Sequence, residues 1–372
     1  MSAFLLLALV LFALAMVYAS VVMGWREAIS KPMHPDAIDD ITAPLVSIIV
    51  PARNEEEGIA AILQDLHVQD HPRDRMEVLV VDDGSTDHTA SIVEGMMRSW
   101  PGLRLLRSDA PGKKAAITTG VLAAKGDLIL LTDADVRCGP QRVRSIAAHW
   151  TKERGDLIIL PVWTEGHGMI GRVQEDEQAA LLGMSMSTGS LAYGANLGFA
   201  RAAFHSVGGY QGDRFASGDD VFLLQRMQQA GKKITSLFST EAAVTATAEP
   251  SLRTAILQRL RWAGKMRDVR GTMNLAGIMG LLLPWAMLCQ TFAFNFREGM
   301  GQNALFTAAL LVGAWAAWVF PVVGLVRDVR KRMQRPASAF GSLMSFVAFS
   351  CYAPIIALIS WAVRPKWKGR NL

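Results

Sequence analysis

Four stretches of this chain run too long without a charge to be strands or ordinary core helices. Residues 4–25, FLLLALVLFALAMVYASVVMGW, are uncharged throughout. At 1.5 Å rise per residue a helix of that length crosses a bilayer core of about 30 Å. Three further apolar runs follow residue 270, at roughly 273–296, 303–326 and 338–363. Pro284 and Pro354 fall inside the first and third, which membrane helices tolerate. A cleaved signal peptide is the rival reading of the first run. No basic segment precedes that run and no clean small-residue cleavage site follows it, so it is read as an anchor.

Between these runs the pattern changes. Short apolar segments of strand length recur at 45–50, 76–81, 103–107, 127–132 and 155–162. Helical segments separate them. Asn54 can cap the first, with acids at 55–57 in its first turn; Asp87 can cap another through about residue 99. Gly112 opens a helix through 124, and a further one covers 140–150. Strand–helix repetition with mostly apolar strands predicts an α/β fold with a mostly parallel central sheet. Ligands on such sheets bind beyond the carboxyl ends of the strands. Those ends carry Pro51-Ala52-Arg53-Asn54-Glu55, Asp82-Asp83-Gly84-Ser85 and Asp133-Ala134-Asp135, so three polar clusters converge on one edge.

Composition agrees with a membrane chain. Of 372 residues 51% are hydrophobic and 19% charged, against about 25% charged in soluble domains. Global disorder is excluded, as is a disulfide scaffold, because the three cysteines lie far apart. The net charge is +5, and its excess sits after residue 270, where ten Lys or Arg face two acids, Glu298 and Asp328. A basic excess bordering apolar runs reads as membrane anchoring, with no nucleic acid as partner. Arg26, Lys31 and RDVRKRMQR at 327–335 place those flanks on the cytoplasmic side; the tail RPKWKGRNL then falls outside and breaks the rule. The first strand is followed by no G-x-G-x-x-G, and no P-loop occurs.

The polar clusters carry candidate chemistry. Asp133 and Asp135, two apart after a strand, can aim two carboxylates at one ion, and hard oxygens favour Mg2+ or Mn2+; a turn pair is the plain alternative. Asp83 can accept from a base or ribose edge, or simply form a turn with the next helix cap. Lys113 at a helix start gains nothing from the dipole, which favours contact with phosphate, and Arg53 has similar standing. Ser217-Gly218-Asp219-Asp220 precede an apolar-periodic helix: Asp219 can cap it, and Asp220 can act as general base towards an acceptor hydroxyl. Residues 251–265 form a basic amphipathic helix with Leu252, Ile256, Leu257 and Leu260 on one side and Arg253, Arg259 and Lys265 facing headgroups. The seven histidines, His34 in a linker among them, show no metal-ligand spacing.

The ordered set PARNEE (51–56), VDDGSTD (81–87), GKKAAI (112–117), TDADV (132–136), GANLGFAR (194–201), SGDD (217–220) and QRLRW (258–262) resembles a membrane-bound family 2 glycosyltransferase of the GT-A nucleotide-diphospho-sugar transferase fold. The Q-x-x-R-W element is also typical of the cellulose, chitin and hyaluronan synthase branch, and the four apolar runs resemble smaller lipid, hopanoid and carotenoid glycosyltransferases. The resemblance implies that Pro51, Ala52, Arg53 and Glu55 border a nucleotide pocket, Asp83 meets the nucleoside, and Lys113 lies near the base or diphosphate. It implies a metal pair of Asp133 and Asp135, a base at Asp220, and an acceptor region with Asn196, Asp219 and Trp262. Gln258, Arg261 and Trp262 would frame the acceptor end and the diphosphate.

The expected organisation is an anchor and linker over 1–43, a cytoplasmic catalytic domain over 44–250, an interface helix over 251–270 and a membrane region with about three helices over 271–372. The expected reaction is inverting transfer from a nucleotide-sugar, a UDP-sugar by resemblance, to a lipid or lipid-linked acceptor at the inner (plasma) membrane. A processive polysaccharide synthase and an inactive membrane scaffold are the alternatives. Residues 169–187, with Glu175, Asp176 and Glu177, match no motif.

Overall fold

The computed structural model describes residues 2–31, 38–212, 218–266, 273–297, 303–361, 366–367 and 370–371. His34, Ser217 and Glu298 lie outside the described residues. In chain order the first elements are α1 (Ala3–Ser30), β1 (Val46–Ala52), α2 (Ile59–His67), β2 (Met76–Asp82), α3 (Thr89–Met97), β3 (Leu103–Arg107), α4 (Lys113–Ala123) and β4 (Leu128–Thr132). Then follow β5 (Val136–Cys138), α5 (Arg142–Glu153), β6 (Leu157–Ile159), β7 (Val162–Glu165), α6 (Gly168–Thr188), β8 (Asn196–Ala200), α7 (Arg201–Ser206) and α8 (Asp219–Gln229). The chain continues with β9 (Ile234–Ser236), β10 (Val244–Thr247), α9 (Leu252–Met266), α10 (Met273–Arg297), α11 (Ala304–Arg332) and α12 (Ala339–Ile359). These elements divide into two units: a helical one of Met1–Lys31, His167–Ser187 and Glu249–Pro365, and a sheet-centred one made of the remainder.

In the sheet-centred unit, a strand whose successive residues are all apolar has to be covered on both faces. β1, β2 and β4 meet that requirement at the centre of a seven-stranded sheet ordered β3-β2-β1-β4-β8-β6-β9. The β3-β2-β1-β4 pairs are parallel, β8 runs antiparallel to β4 and β6, and β6–β9 is parallel again. Helices α2, α3 and α5 cover one face, packing Ile62, Val93 and Ile146 onto Ile48, Val50 and Val80. Helix α4 covers the other face. A Cβ on its Gly120 would lie 2.6 Å from Ile49 Cγ2, so only glycine lets the helix settle there. A second sheet, β5-β10-β7, flanks the end of β4.

Two local expectations are corrected. The segment 155–162 forms two strands, β6 and β7, divided at Leu160-Pro161, because proline has no N–H for the ladder. Asn54 does not cap α2, which begins at Ile59 after Gly58; Asn54 is left-handed (φ 51°) and serves the next loop instead. The basic segment after the 303–326 run continues α11 through Arg332.

In the helical unit, α1, Gly277–Phe294 of α10, α11 and α12 are each long and apolar enough to cross a membrane. Inward residues of α1 recur every three or four positions, Leu5, Ala8, Leu11, Ala15, Ala19 and Val22. The alanines let it lie close along α11, and a Cβ on Gly313 would meet the Phe12 ring at 2.8 Å. The unmatched acids of α6 prove to be its polar anchors. Arg330 of α11 pairs with Asp176 (2.6 Å) and Glu175 (2.8 Å), and Arg259 of α9 pairs with Glu177 (2.7 Å). Arg259 is therefore buried, not turned to headgroups as the amphipathic pattern suggested; Leu252, Ile256 and Leu257 form the exposed apolar side.

Removing one partner of a buried pair strands the other charge, which costs about 3–5 kcal/mol. Arg330→Gln is expected to lose stability of that order in detergent unfolding, whereas Arg253→Gln, on the exposed side of α9, stays within about 0.5 kcal/mol. Equal effects from both would contradict the anchoring role.

Candidate active site

Parallel pairing brings the carboxyl ends of β1, β2 and β4 to one edge: Ala52 lies opposite Asp82, and Ile49 opposite Leu131. The loops that follow β1 and β2 are laced together. Asn54 Oδ1 accepts from the Thr86 N–H (2.9 Å), the Asn54 N–H donates to Ser85 Oγ (3.0 Å), and the Glu55 N–H donates to Thr89 Oγ1 (2.8 Å). The Glu56 N–H donates to Asp87 Oδ2 (3.1 Å), whose other oxygen accepts from the Thr89 N–H (3.0 Å). Much of the two polar loop sequences is thus spent on fixing one rim.

Asp83, buried behind that rim, accepts from the Gly112 N–H (2.8 Å) and so sets the start of α4. Gly112 has φ 114°, a conformation glycine adopts without strain. Arg53 Nη1 donates to the Asp83 carbonyl (2.9 Å), which turns the guanidinium along the same edge. Burial pushes the Asp83 carboxyl above its ordinary range, and the Gly112 N–H and Arg53 offset only part of that. Pro51 is half-buried and Ala52 buried beneath these groups.

Lys113 is the centre of the edge. Its Nζ lies 2.8 Å from Asp133 Oδ1, just after β4, and 3.0 Å from Asp219 Oδ2, in the first turn of α8. Burial works against the ammonium, but Asp133, Asp219 and Asp220 outweigh it and hold Lys113 protonated well above its ordinary value. Burial, helped by Asp135 and Asp219 and opposed by Lys113, pushes the Asp133 carboxyl up. The next lysine, Lys114, turns away and lies over the Phe222 ring at 4.8 Å. Asp219 therefore acts as an ion-pair partner and not as a helix cap. That position falls to Gly218, left-handed at φ 84°, and its side chain-less turn is what the Gly-Asp-Asp sequence supplies.

Two glycines shape this edge, Gly58 and the Gly194 that opens the GANLGFAR element. A Cβ on Gly194 would lie within 3.0 Å of Lys113 Nζ and closer still to Asp219 Oδ2, and the Gly194 N–H donates to Asp220 Oδ2 (3.2 Å). A Cβ on Gly58 would meet the Ala134 carbonyl at 3.0 Å, so α2 packs directly beneath the Asp133–Asp135 turn. No spacing rule could have found either; only the close approach does. Asp135 is exposed at the tip of that turn. Among the described residues no three His, Cys, Asp or Glu side chains converge as a metal cage. Two carboxylates at a strand end still suit Mg2+ or Mn2+, which are commonly held by one or two carboxylates together with substrate phosphates.

Asn196 is fully buried. It donates to the Pro161 and Ala242 carbonyls (2.8 and 2.9 Å) and accepts from Arg142 (2.8 Å), which also bonds Thr132 Oγ1 (2.9 Å). Its side chain thus braces the strand that delivers Asp133. Gln258, Arg261 and Trp262 belong to the helical unit. There Gln258 donates to Glu249 Oε1 (3.0 Å) and accepts from Arg259 (2.6 Å), whose guanidinium lies over the Trp262 ring at 5.1 Å.

Residues 47–188 match the model of Glycosyl transferase family 2, and residues 128–363 that of Glycosyl transferase family group 2. A beta-monoglucosyldiacylglycerol synthase of Synechocystis sp. is 30% identical over 63% of this chain and 50% of its own length. Glycosyltransferase AglE of Haloferax volcanii is 30% identical over 52% of this chain and 64% of its own. The chain spans about half the length of the curated relatives it matches first. In structure it is similar to a mannosyltransferase from Pyrobaculum calidifontis solved with GDP-Man and Mn2+. That match has a TM-score of 0.55 and 23% identity and covers 94% of this chain and 99% of the other, a likeness of fold.

The buried acceptor at Asp83 generates a test. A folded state that holds the proton more tightly than the unfolded chain loses stability as pH rises above about 4. Asp83→Asn keeps an oxygen for the Gly112 N–H and removes that charge. Its unfolding midpoint near neutral pH is expected to equal or exceed the parent's, with a shallower decline from acid pH. A loss of more than about 2 kcal/mol would show that the charge itself holds α4 in place.

Proposed function

The chain belongs to glycosyl transferase family group 2, and from that premise we propose that it transfers a sugar, with inversion, from a nucleoside diphosphate donor to a lipid or lipid-linked acceptor. The observation that carries the reading is the convergence of Lys113 with Asp133, Asp219 and Asp220 at the carboxyl edge of parallel strands. Such an edge is where α/β sheets take their ligands.

In this reading Arg53 and Asp83 flank the nucleoside, with Pro51, Ala52 and Glu55 around it, and Lys113 faces the diphosphate. Asp133 and Asp135 would hold Mg2+ or Mn2+, which would supply positive charge against that developing on the leaving diphosphate. The acceptor oxygen attacks the anomeric carbon as the bond to the diphosphate breaks. The electron pair leaves with the nucleoside diphosphate, and the acceptor proton passes to the Asp220 carboxylate. Gln258, Arg261 and Trp262 serve the acceptor side of the reaction, and Asp219 keeps Lys113 in position.

The four membrane-length helices support the acceptor class, because an amphiphile is delivered to such a protein by the bilayer. The Arg- and Lys-rich end of α11 supports a cytoplasmic catalytic domain at the inner membrane. The donor is proposed to be a UDP-sugar.

Membranes incubated with a panel of nucleotide-sugars and lipid extract should release nucleoside diphosphate and yield a lipid heavier by one or two sugars; a long polymer would overturn this reading in favour of a processive synthase. Asp135→Ala is expected to abolish transfer while the protein still inserts, and full activity with metal chelated would remove the metal role. Asp220→Asn is expected to spare donor binding and to lower kcat by about 100- to 10,000-fold; loss of donor affinity alone would remove the base assignment.

A further inference from the structure

Within the helical unit, Arg26 of α1, Gly324, Arg327, Asp328 and Lys331 of α11, and Arg335 beyond its end line a cavity of about 560 Å³. Its construction is specific. Arg327 and Lys331 are spaced four apart, which aligns them along one face of α11. Helix α11 ends at Arg332, Gln334 takes a left-handed conformation (φ 54°), and the Arg335 N–H returns to the Arg330 carbonyl (2.8 Å). That closure holds Arg335 against the last turn. Arg26 reaches across from α1 and pairs with Asp328 at 2.7 Å. Gly324 leaves room for it there: a Cβ at that position would stand 2.5 Å from the Arg26 guanidinium, which would have to shift.

Four cations thus face one carboxylate among the lining residues. Arg26 is paired with Asp328, and Arg327 and Lys331 add two cations one turn apart on α11. Guanidinium forks match phosphate oxygens in pairs, which favours a phosphate over a simple halide. The cavity also lies where the apolar stretches of two membrane-length helices give way to charge, the level of lipid headgroups. Basic pockets between such helices are suited to anionic headgroups.

We propose that this cavity binds the phosphate of an anionic phospholipid, clamped between α1 and α11. The ligand is a component of the surrounding leaflet and not the acceptor of the transfer reaction, so the site stands whether or not that reaction is the one proposed.

The test uses the full chain in mild detergent, with phosphatidylglycerol, phosphatidylcholine or inorganic phosphate as probes, read by retention of bound lipid in native mass spectrometry and by the unfolding midpoint. Phosphatidylglycerol is expected to be retained and to raise the midpoint, and phosphatidylcholine to do neither. Arg327→Gln with Lys331→Gln should weaken phosphatidylglycerol retention by roughly 10- to 30-fold. Lys125→Gln with Lys152→Gln, which removes equal charge from exposed positions of the other unit, should leave retention unchanged. Equal losses in the two double variants would reduce the effect to general charge and overturn the site. Retention of phosphatidylcholine to the same extent would overturn the anion. A midpoint rise with millimolar inorganic phosphate matching that with lipid would overturn the lipid source.

Discussion

Like charges do not gather on a protein without a counter-ion, and here one ammonium meets that constraint. Asp133 comes from the end of β4, and Asp219 and Asp220 from the first turn of α8. Lys113, at the start of α4, draws these segments to one point. The rest of the edge serves that meeting. Asp83 fixes the turn that presents Lys113, Gly194 gives up its side chain so that Asp219 and the ammonium can meet, and Arg142 with Asn196 braces the strand before Asp133. In the proposed reaction the same balance matters again, because a diphosphate and a divalent cation would enter a site where one ammonium stands against several carboxylates.

The sheet was legible in the sequence wherever burial on both faces leaves no choice of residue. β1, β2, β3 and β4 fall within two residues of their predicted segments; β1, β2 and β4 are buried along almost their whole length, and such mostly aliphatic segments admit few other fates. Helix starts were harder to read. Asn54 has the right side chain for a cap, yet its own left-handed backbone and its bond to Thr86 take it into a neighbouring loop. A competing partner far along the chain cannot be seen in a local pattern. The same holds for Gly58 and Gly194, whose importance lies in what approaches them.

In the helical unit the sequence showed lengths but not polarity inside. The α6 acids had no motif because their partners, Arg259 and Arg330, lie more than seventy residues away. Arg259 was assigned to the outer face from amphipathic spacing, and a buried carboxylate at Glu177 overrides that spacing. The account of Gln258 and Trp262 changes accordingly. Both touch Arg259, so the Gln-Arg-Leu-Arg-Trp sequence is bound into the ion-pair framework of its own unit.

The central claim is that the carboxylate edge around Lys113 takes metal and nucleotide together. Titration calorimetry of Mn2+ into the full chain, with and without UDP, measures this directly. Two carboxylates, one of them already held by Lys113, predict weak uptake of Mn2+ alone and at least about tenfold tighter uptake when the nucleotide is present. Tight binding of Mn2+ without UDP, or binding of UDP indifferent to Mn2+, would contradict it.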